Sequence, residues 1–304
     1  MKLLFTTILT LNFMLAAIAQ DGLIRSYYTN KMLKQVENFR NGTLEGVNKY
    51  YSDKGIIKEI INYKQGVKEG VSYIYSSEGI IQEIVTYKNN KYNGEFRTYY
   101  ENGSLKELGN YSDGILDGSY KSYHESGGLF SISDFRQGKR IGVTKEYYPG
   151  GSIKTEAEFK NGLQSGTTKW YYENGQLKGE YEYDGSQLEG LSIEYYESGA
   201  KESERNYIFG KQSGLSKVYY EAGNLKSEEN YKSGMKEGIT KSYYKNGTLW
   251  TEQNYKKDKL TGETKIYRED KTLWYIENYV DGVLKSSIEY SQDGKVLGET
   301  KYKY

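Results

Sequence analysis

The chain is 304 residues long with 42 basic and 41 acidic side chains, a balance that leaves no electrostatic ground for binding nucleic acid or an anionic membrane. It holds no cysteine, which excludes disulfides, a thiol nucleophile and thiolate metal sites. Only 36% of residues are hydrophobic, yet 35 tyrosines and 35 glycines recur in fixed phase, so this is a structured polar chain with aromatic stripes and not a disordered one.

Residues 1–19 stand apart from the rest. Lys2 precedes an apolar run to Leu15, and Ala17-Ile18-Ala19 has the small-x-small pattern of a signal peptidase site. This predicts a leader cleaved after Ala19 and export to a periplasmic or extracellular compartment. The run falls short of the ~20 residues a membrane span needs, and no later segment is apolar enough to cross a bilayer as a helix.

From Phe39 to Tyr279 an aromatic residue returns every 24 positions: Phe39, Tyr63, Tyr87, Tyr111, Phe135, Phe159, Tyr183, Tyr207, Tyr231, Tyr255 and Tyr279. Glycine keeps the same period from Gly22 to Gly262, with a tyrosine five residues later from Tyr27 to Tyr267. Such a period signals a stack of small units, each too small to bury a face alone. Residues 20–285 are therefore one repeat array of eleven copies.

Each copy reads as a β-hairpin. In Gly166–Tyr183, Asn174-Gly175 separates two runs of β-forming residues, and a two-residue turn would place Tyr172 opposite Leu177, Tyr171 opposite Lys178, Lys169 opposite Glu180 and Gly166 opposite Tyr183. On that register one face carries Tyr172, Leu177 and Tyr183, with Gly166 leaving room for the Tyr183 ring. The other carries Tyr171 and a Lys–Glu pair that recurs as Lys145 with Glu156, Lys217 with Glu228 and Lys241 with Glu252. A second turn, as at Asn41-Gly42 and Asn161-Gly162, joins one copy to the next. No window holds a helical period. The predicted fold is all-β: an elongated, single-layer antiparallel meander of about eleven 24-residue hairpins, with residues 286–304, where Ser286 and Ser291 stand for the periodic glycine and tyrosine, as a degenerate terminal cap.

Units such as Phe159–Glu180 and Tyr231–Glu252, with glycine, paired tyrosines, Asn-Gly and Leu-Lys-x-Glu in fixed order, resemble the MORN-variant repeats of bacterial proteins, over about residues 22–285. The resemblance implies a β-hairpin scaffold without catalytic residues, used for contact with proteins or lipid headgroups. Some members carry the label of a YwqK-type antitoxin, to which an exported chain is poorly suited.

The residues offer no catalytic constellation. His124 is the single histidine and fills the second tyrosine position of its copy, while the glutamates at 156, 180, 204, 228 and 252 share one repeated position beside lysine. No metal or cofactor is expected. The reading that follows is a non-enzymatic scaffold for another protein, with a glycan or cell-wall polymer as the alternative partner. The candidate surface is Tyr243, Trp250, Tyr267 and Trp274, because the two tryptophans take the position of Lys178 in adjacent copies and the register above sets them opposite Tyr243 and Tyr267 as one aromatic platform. Departures at Ile60, Ile84, Leu108, Ile132 and Ile276, where the ladder elsewhere has glutamate, mark either stack ends or a contact surface.

Overall fold

The computed structural model describes residues 21–303, so the predicted leader lies outside the described residues. Among them the chain is all-β, thirty strand segments with no helix, and within each unit the strands pair antiparallel. It divides into two compact units: residues up to Gly103 with Tyr111–Gly114, and Ser104–Asn110 with Ile115 onward.

One copy from the second unit shows the logic of all. Leu163–Tyr171 pairs with Leu177–Asp184, which pairs with Gln187–Tyr195. Gly166 faces Tyr183 and Lys169 faces Glu180, as the sequence predicts, but the register slips near the tip so that Tyr171, not Tyr172, faces Leu177. The cause is the turn. Gly175 N–H bonds the Tyr172 carbonyl and Tyr172 N–H bonds the Gln176 carbonyl, with only Gly175 of the loop at positive φ. That is a type I turn closed by a glycine bulge, a three-residue loop, and the added residue moves Leu177 to the face of Tyr171.

The junction between copies is the two-residue turn. Gly185-Ser186, like Asn41-Gly42 and Asn161-Gly162, has both residues at positive φ, the type I′ geometry whose twist matches the strands. In several copies a carboxylate 20 residues back receives the N–H that opens this turn, as Glu45 does from Gln65 at 2.8 Å and Glu189 from Phe209 at 2.7 Å.

The periodic glycine has a different reason from the one expected. All eleven, from Gly22 (φ +99°) through Gly166 (+76°) to Gly262 (+70°), lie in the left-handed region. From Gly46 onward the glycine sits where the register with the preceding strand shifts by two residues, as between Ala157–Thr168 and Phe159–Gln164. A Cβ at Gly142, Gly214 or Gly262 would meet nothing within 4 Å. Backbone conformation in a bulge, not space for the Tyr183 ring, selects glycine.

In the first unit the centre of one face mixes apolar and polar side chains: Ile61, Val85 and Phe96 are buried beside Asn48 and Ser72, and Phe96 and Tyr92 pack on Tyr111 with ring centroids 4.8 and 5.3 Å apart. In the second unit the corresponding row is small and hydroxylic, with Ser133, Thr144, Thr168, Ser192, Ser216 and Thr240 buried. Some of these hydroxyls are paired, as Thr168 Oγ1 accepts from Gln164 Nε2 at 2.6 Å and Thr144 donates to Ser133 at 3.2 Å, whereas Thr240 Oγ1 is buried without a partner.

The predicted cap, residues 286–304, is described as far as Lys303. Val283–Tyr290 and Val296–Lys301 form a further hairpin, with Tyr290 facing Val296 as Tyr267 faces Leu273. Ser286 cannot take the left-handed bulge readily, and the shift at Asn278/Tyr279 is one residue instead of two. The repeat continues in space after a one-residue deletion that hides it in the sequence.

Candidate interaction surface

The face that carries Lys169 and Glu180 is half exposed and charged. Lys145–Glu156, Lys169–Glu180, Lys217–Glu228 and Lys241–Glu252 all form the expected cross-strand ion pairs, at 2.8, 3.4, 4.0 and 3.5 Å. Each is worth at most ~1 kcal/mol where solvent reaches it. The first tyrosine of a copy joins the ladder: Tyr171 donates to Glu156 at 2.9 Å, Tyr219 to Glu204 at 3.1 Å and Tyr243 to Glu228 at 3.2 Å. The Lys145 ammonium holds the Glu156 carboxyl below its usual range, and burial with the neighbouring Glu156 pushes the Tyr171 hydroxyl up to about 12.

Beside the ladder runs a row that the sequence reading missed. The residue after the periodic glycine projects from the same face and is often apolar: Val143, Leu191, Leu215 and Ile239 in the second unit, with 41–50% of their surface exposed, and Leu23, Val47 and Val71 in the first. Its signal was available, because these positions keep the same 24-residue period. The apolar ladder positions Ile60 and Ile84 are half-buried, facing Lys49, Tyr73 and Arg97 on neighbouring strands of the first unit.

The tryptophans lie elsewhere than predicted. Leu249 and Leu273, not Trp250 and Trp274, face Tyr243 and Tyr267, because the tip bulge falls at the tryptophan position. Trp250 leans on Tyr244, ring centroids 5.8 Å apart, while the Tyr243 hydroxyl engages Glu228. Trp274 lies 5.1 Å from the Tyr275 ring and 5.2 Å from the Arg268 guanidinium, and its indole donates to Glu289 at 3.3 Å. The four-ring platform is thus divided between two neighbourhoods, although both indoles remain exposed.

His124 takes a structural place. Its Nε2 lies 3.4 Å from the Tyr147 carbonyl, where tyrosines of other copies donate a hydroxyl, and its ring meets Phe130 edge-on. Among the described residues no group of three or more His, Asp or Glu side chains could hold a metal ion, and no helix is long and apolar enough to cross a membrane.

The family model described as MORN repeat variant matches ten segments, from 20–41 and 44–65 through 164–184 to 236–257. The chain belongs to the MORN repeat variant family. The model's periods coincide with the hairpins above, and the copy from Gly262 to Tyr279 repeats the same pairing beyond the last match. A search of curated proteins found no match. Among solved structures, "Crystal Structure of TcdB2-TccC3-TEV" is similar over 93% of this chain at 12% identity with a TM-score of 0.16. The Photorhabdus luminescens Tc holotoxin pore with mutation TccC3-D651A is similar over 92% at 11% identity with a TM-score of 0.17. This chain spans 19% and 18% of those chains, and likeness at this level carries no argument.

Proposed function

We propose that this chain is an exported, non-catalytic scaffold that docks another protein on the ladder face of its repeats. The observation that carries the reading is the row of Val143, Leu191, Leu215 and Ile239, apolar and exposed beside an alternating Lys–Glu ladder. Apolar side chains at recurring exposed positions cost solubility unless a partner covers them, and charges alongside supply orientation and specificity. A non-catalytic role fits the partners already found for the repeated glutamates, which are occupied by lysine and tyrosine. Export rests on the Ala17-Ile18-Ala19 site.

The test compares native protein with a quadruple variant, Val143→Lys, Leu191→Lys, Leu215→Lys and Ile239→Lys. Both are incubated with extract of the exported compartment and, separately, with insoluble cell-wall material. Proteins retained by the native array and lost by the variant support docking on this face. Sedimentation with cell wall and no such protein would replace the partner by a glycan. Intact mass of exported material starting at Gln20 supports the leader, and a mass including residues 1–19 rejects it.

A further inference from the structure

Two strands have a neighbour on one side only. Among the described residues Gly22–Tyr27 pairs with Leu33–Arg40 alone, and Val296–Lys301 with Val283–Tyr290 alone. Along an antiparallel strand the main-chain groups alternate between one side and the other. Tyr28 N–H bonds the Met32 carbonyl and Tyr302 N–H bonds the Lys285 carbonyl, both toward the existing neighbour, so the N–H and C=O groups of Arg25 and Tyr27, and those of Glu299 and Lys301, point away from it. Such a row is a template for a further strand.

The two edges are the two halves of an interior junction. Val296 faces Tyr290 as Leu177 faces Tyr171, and Glu299 faces Ile288 as Glu180 faces Lys169, so Glu299 is a ladder glutamate. Gly22 faces Phe39 as Gly166 faces Tyr183, which puts Arg25 in the position of Lys169 as a ladder cation. Neither has the opposite charge across from it, because Arg25 faces Val36 and Glu299 faces Ile288. Among the described residues Arg25 forms no ion pair, and Glu299 pairs with Lys301 of its own strand at 3.2 Å. The apolar side chains beside them are bare as well: Tyr27 is 58% and Val296 60% exposed, whereas their interior counterparts Tyr195 and Leu177 are half-buried.

We propose that a second copy of this chain adds its first strand to the last strand of another, head to tail, in the register of an interior junction. In that register Glu156 faces Lys169 and Glu180 faces Ile193, and the equivalent pairing sets Glu299 against Arg25, Gly298 against Ser26 and Thr300 against Ile24. Glu299 and Arg25 then exchange both main-chain bonds and extend the ladder by one step, while Val296 comes beside Tyr27. Charge selects this partner: an edge meeting its own kind, centred on the ladder residue, sets Arg25 against Arg25 or Glu299 against Glu299. Joining two unlike edges leaves one of each kind free on the product, so growth is open-ended unless the rotation closes it into a ring. Ser291 stands where Tyr172 reaches the next copy, so the joint lacks that bond and is weaker than an interior one. The inference stands apart from what docks on the ladder face, which such a joint lengthens.

The experiment expresses the full chain, reads its first residue by intact mass, and follows weight-average mass against concentration by sedimentation for the native protein and for Arg25→Glu, Glu299→Arg and Arg25→Pro. The native mass should rise with concentration. Each charge reversal puts like charges across the joint and should weaken association at least about threefold. An equimolar mixture of the Arg25→Glu and Glu299→Arg chains should associate again, because every joint between unlike chains then pairs opposite charges, and recovery on mixing also shows that both variants are folded. Arg25→Pro removes the outward N–H and leaves the pairing with Leu33–Arg40 in place, so it should stop growth without loss of sheet circular dichroism. The mass of a single chain at every concentration, association unmoved by either reversal, or no recovery in the mixture overturns the proposal. The readout needs no other protein, so it succeeds or fails separately from the docking reading.

Discussion

Tyr172 donates its hydroxyl to the main-chain carbonyl of Tyr195, 23 residues on, at 2.8 Å. The same bond joins Tyr148 to Tyr171, Tyr196 to Tyr219, Tyr220 to Tyr243 and Tyr244 to Tyr267. It ties the tip of one hairpin to the next, a contact that strand pairing does not supply there. Tyr172→Phe keeps the ring and removes the bond, so it should cost about 1 kcal/mol, whereas the same change at Tyr171 frees only a half-exposed hydroxyl from Glu156 and should cost less. Urea unfolding of the two variants checks the order.

The junction turn makes an unusual demand at Phe209, which holds φ +48° with 78% of its surface exposed. A bulky side chain there is strained, and asparagine, as at Asn41 and Asn161, is not. Phe209→Asn should raise stability by about 1 kcal/mol. Gly214→Ala, where a Cβ meets nothing but φ is +83°, should lower it by a similar amount from backbone strain alone. Thermal melting of both variants measures the two signs, and a neutral Gly214→Ala would refute the conformational account of the periodic glycine.

Acid should weaken the second unit. Lys145 depresses the Glu156 carboxyl and Lys201 depresses Glu204, while at Glu194 and Glu229 burial raises the pKa but hydrogen bonds from Ser203, Arg205, Tyr231 and Lys236 outweigh it. A carboxyl with a folded pKa below its unfolded value takes up a proton more readily in the unfolded chain. Its contribution is therefore complete above the unfolded value of about 4.5 and is lost as pH falls through the folded one. Stability measured from pH 7 to 3 should be flat down to about pH 5 and then decline, and Glu194→Gln should flatten the decline.

The two exposed tryptophans should divide. Trp250 only leans on Tyr244, so Trp250→Ala should cost at most about 1.5 kcal/mol. Trp274 both stacks on Arg268 and bonds Glu289, so Trp274→Ala should cost more. If a captured partner is lost with Trp250→Ala at nearly unchanged melting temperature, the indole belongs to the docking surface.

Phase should matter more than length. Deleting Gly166–Glu189 removes one full period, and the flanking strands can rejoin in register. Deleting 12 residues from Gly166 removes one turn and fuses parts of two antiparallel strands, which reverses one strand and exposes the buried hydroxyl row. Sheet content by circular dichroism should persist in the first variant and fall in the second.

The 24-residue period was enough to establish the hairpin unit, the near-universal β structure and the Lys169–Glu180 ladder, because alternation of side chains and repetition of turn residues are local properties that each copy states again. The two turns were not separable in that way. Asn174-Gly175 and Asn161-Gly162 are the same dipeptide, yet one belongs to a three-residue bulged loop and the other to a two-residue turn, since the register of the surrounding strands selects which residues take positive φ. That one-residue difference moved Leu177 between faces and took Trp250 and Trp274 away from Tyr243 and Tyr267. Glu299 was equally hidden as a member of the ladder: the one-residue deletion puts it out of phase, and only its pairing with Ile288 shows that it stands where Glu180 does. Periodicity reports what the copies share, whereas register and close packing decide what a single copy does differently.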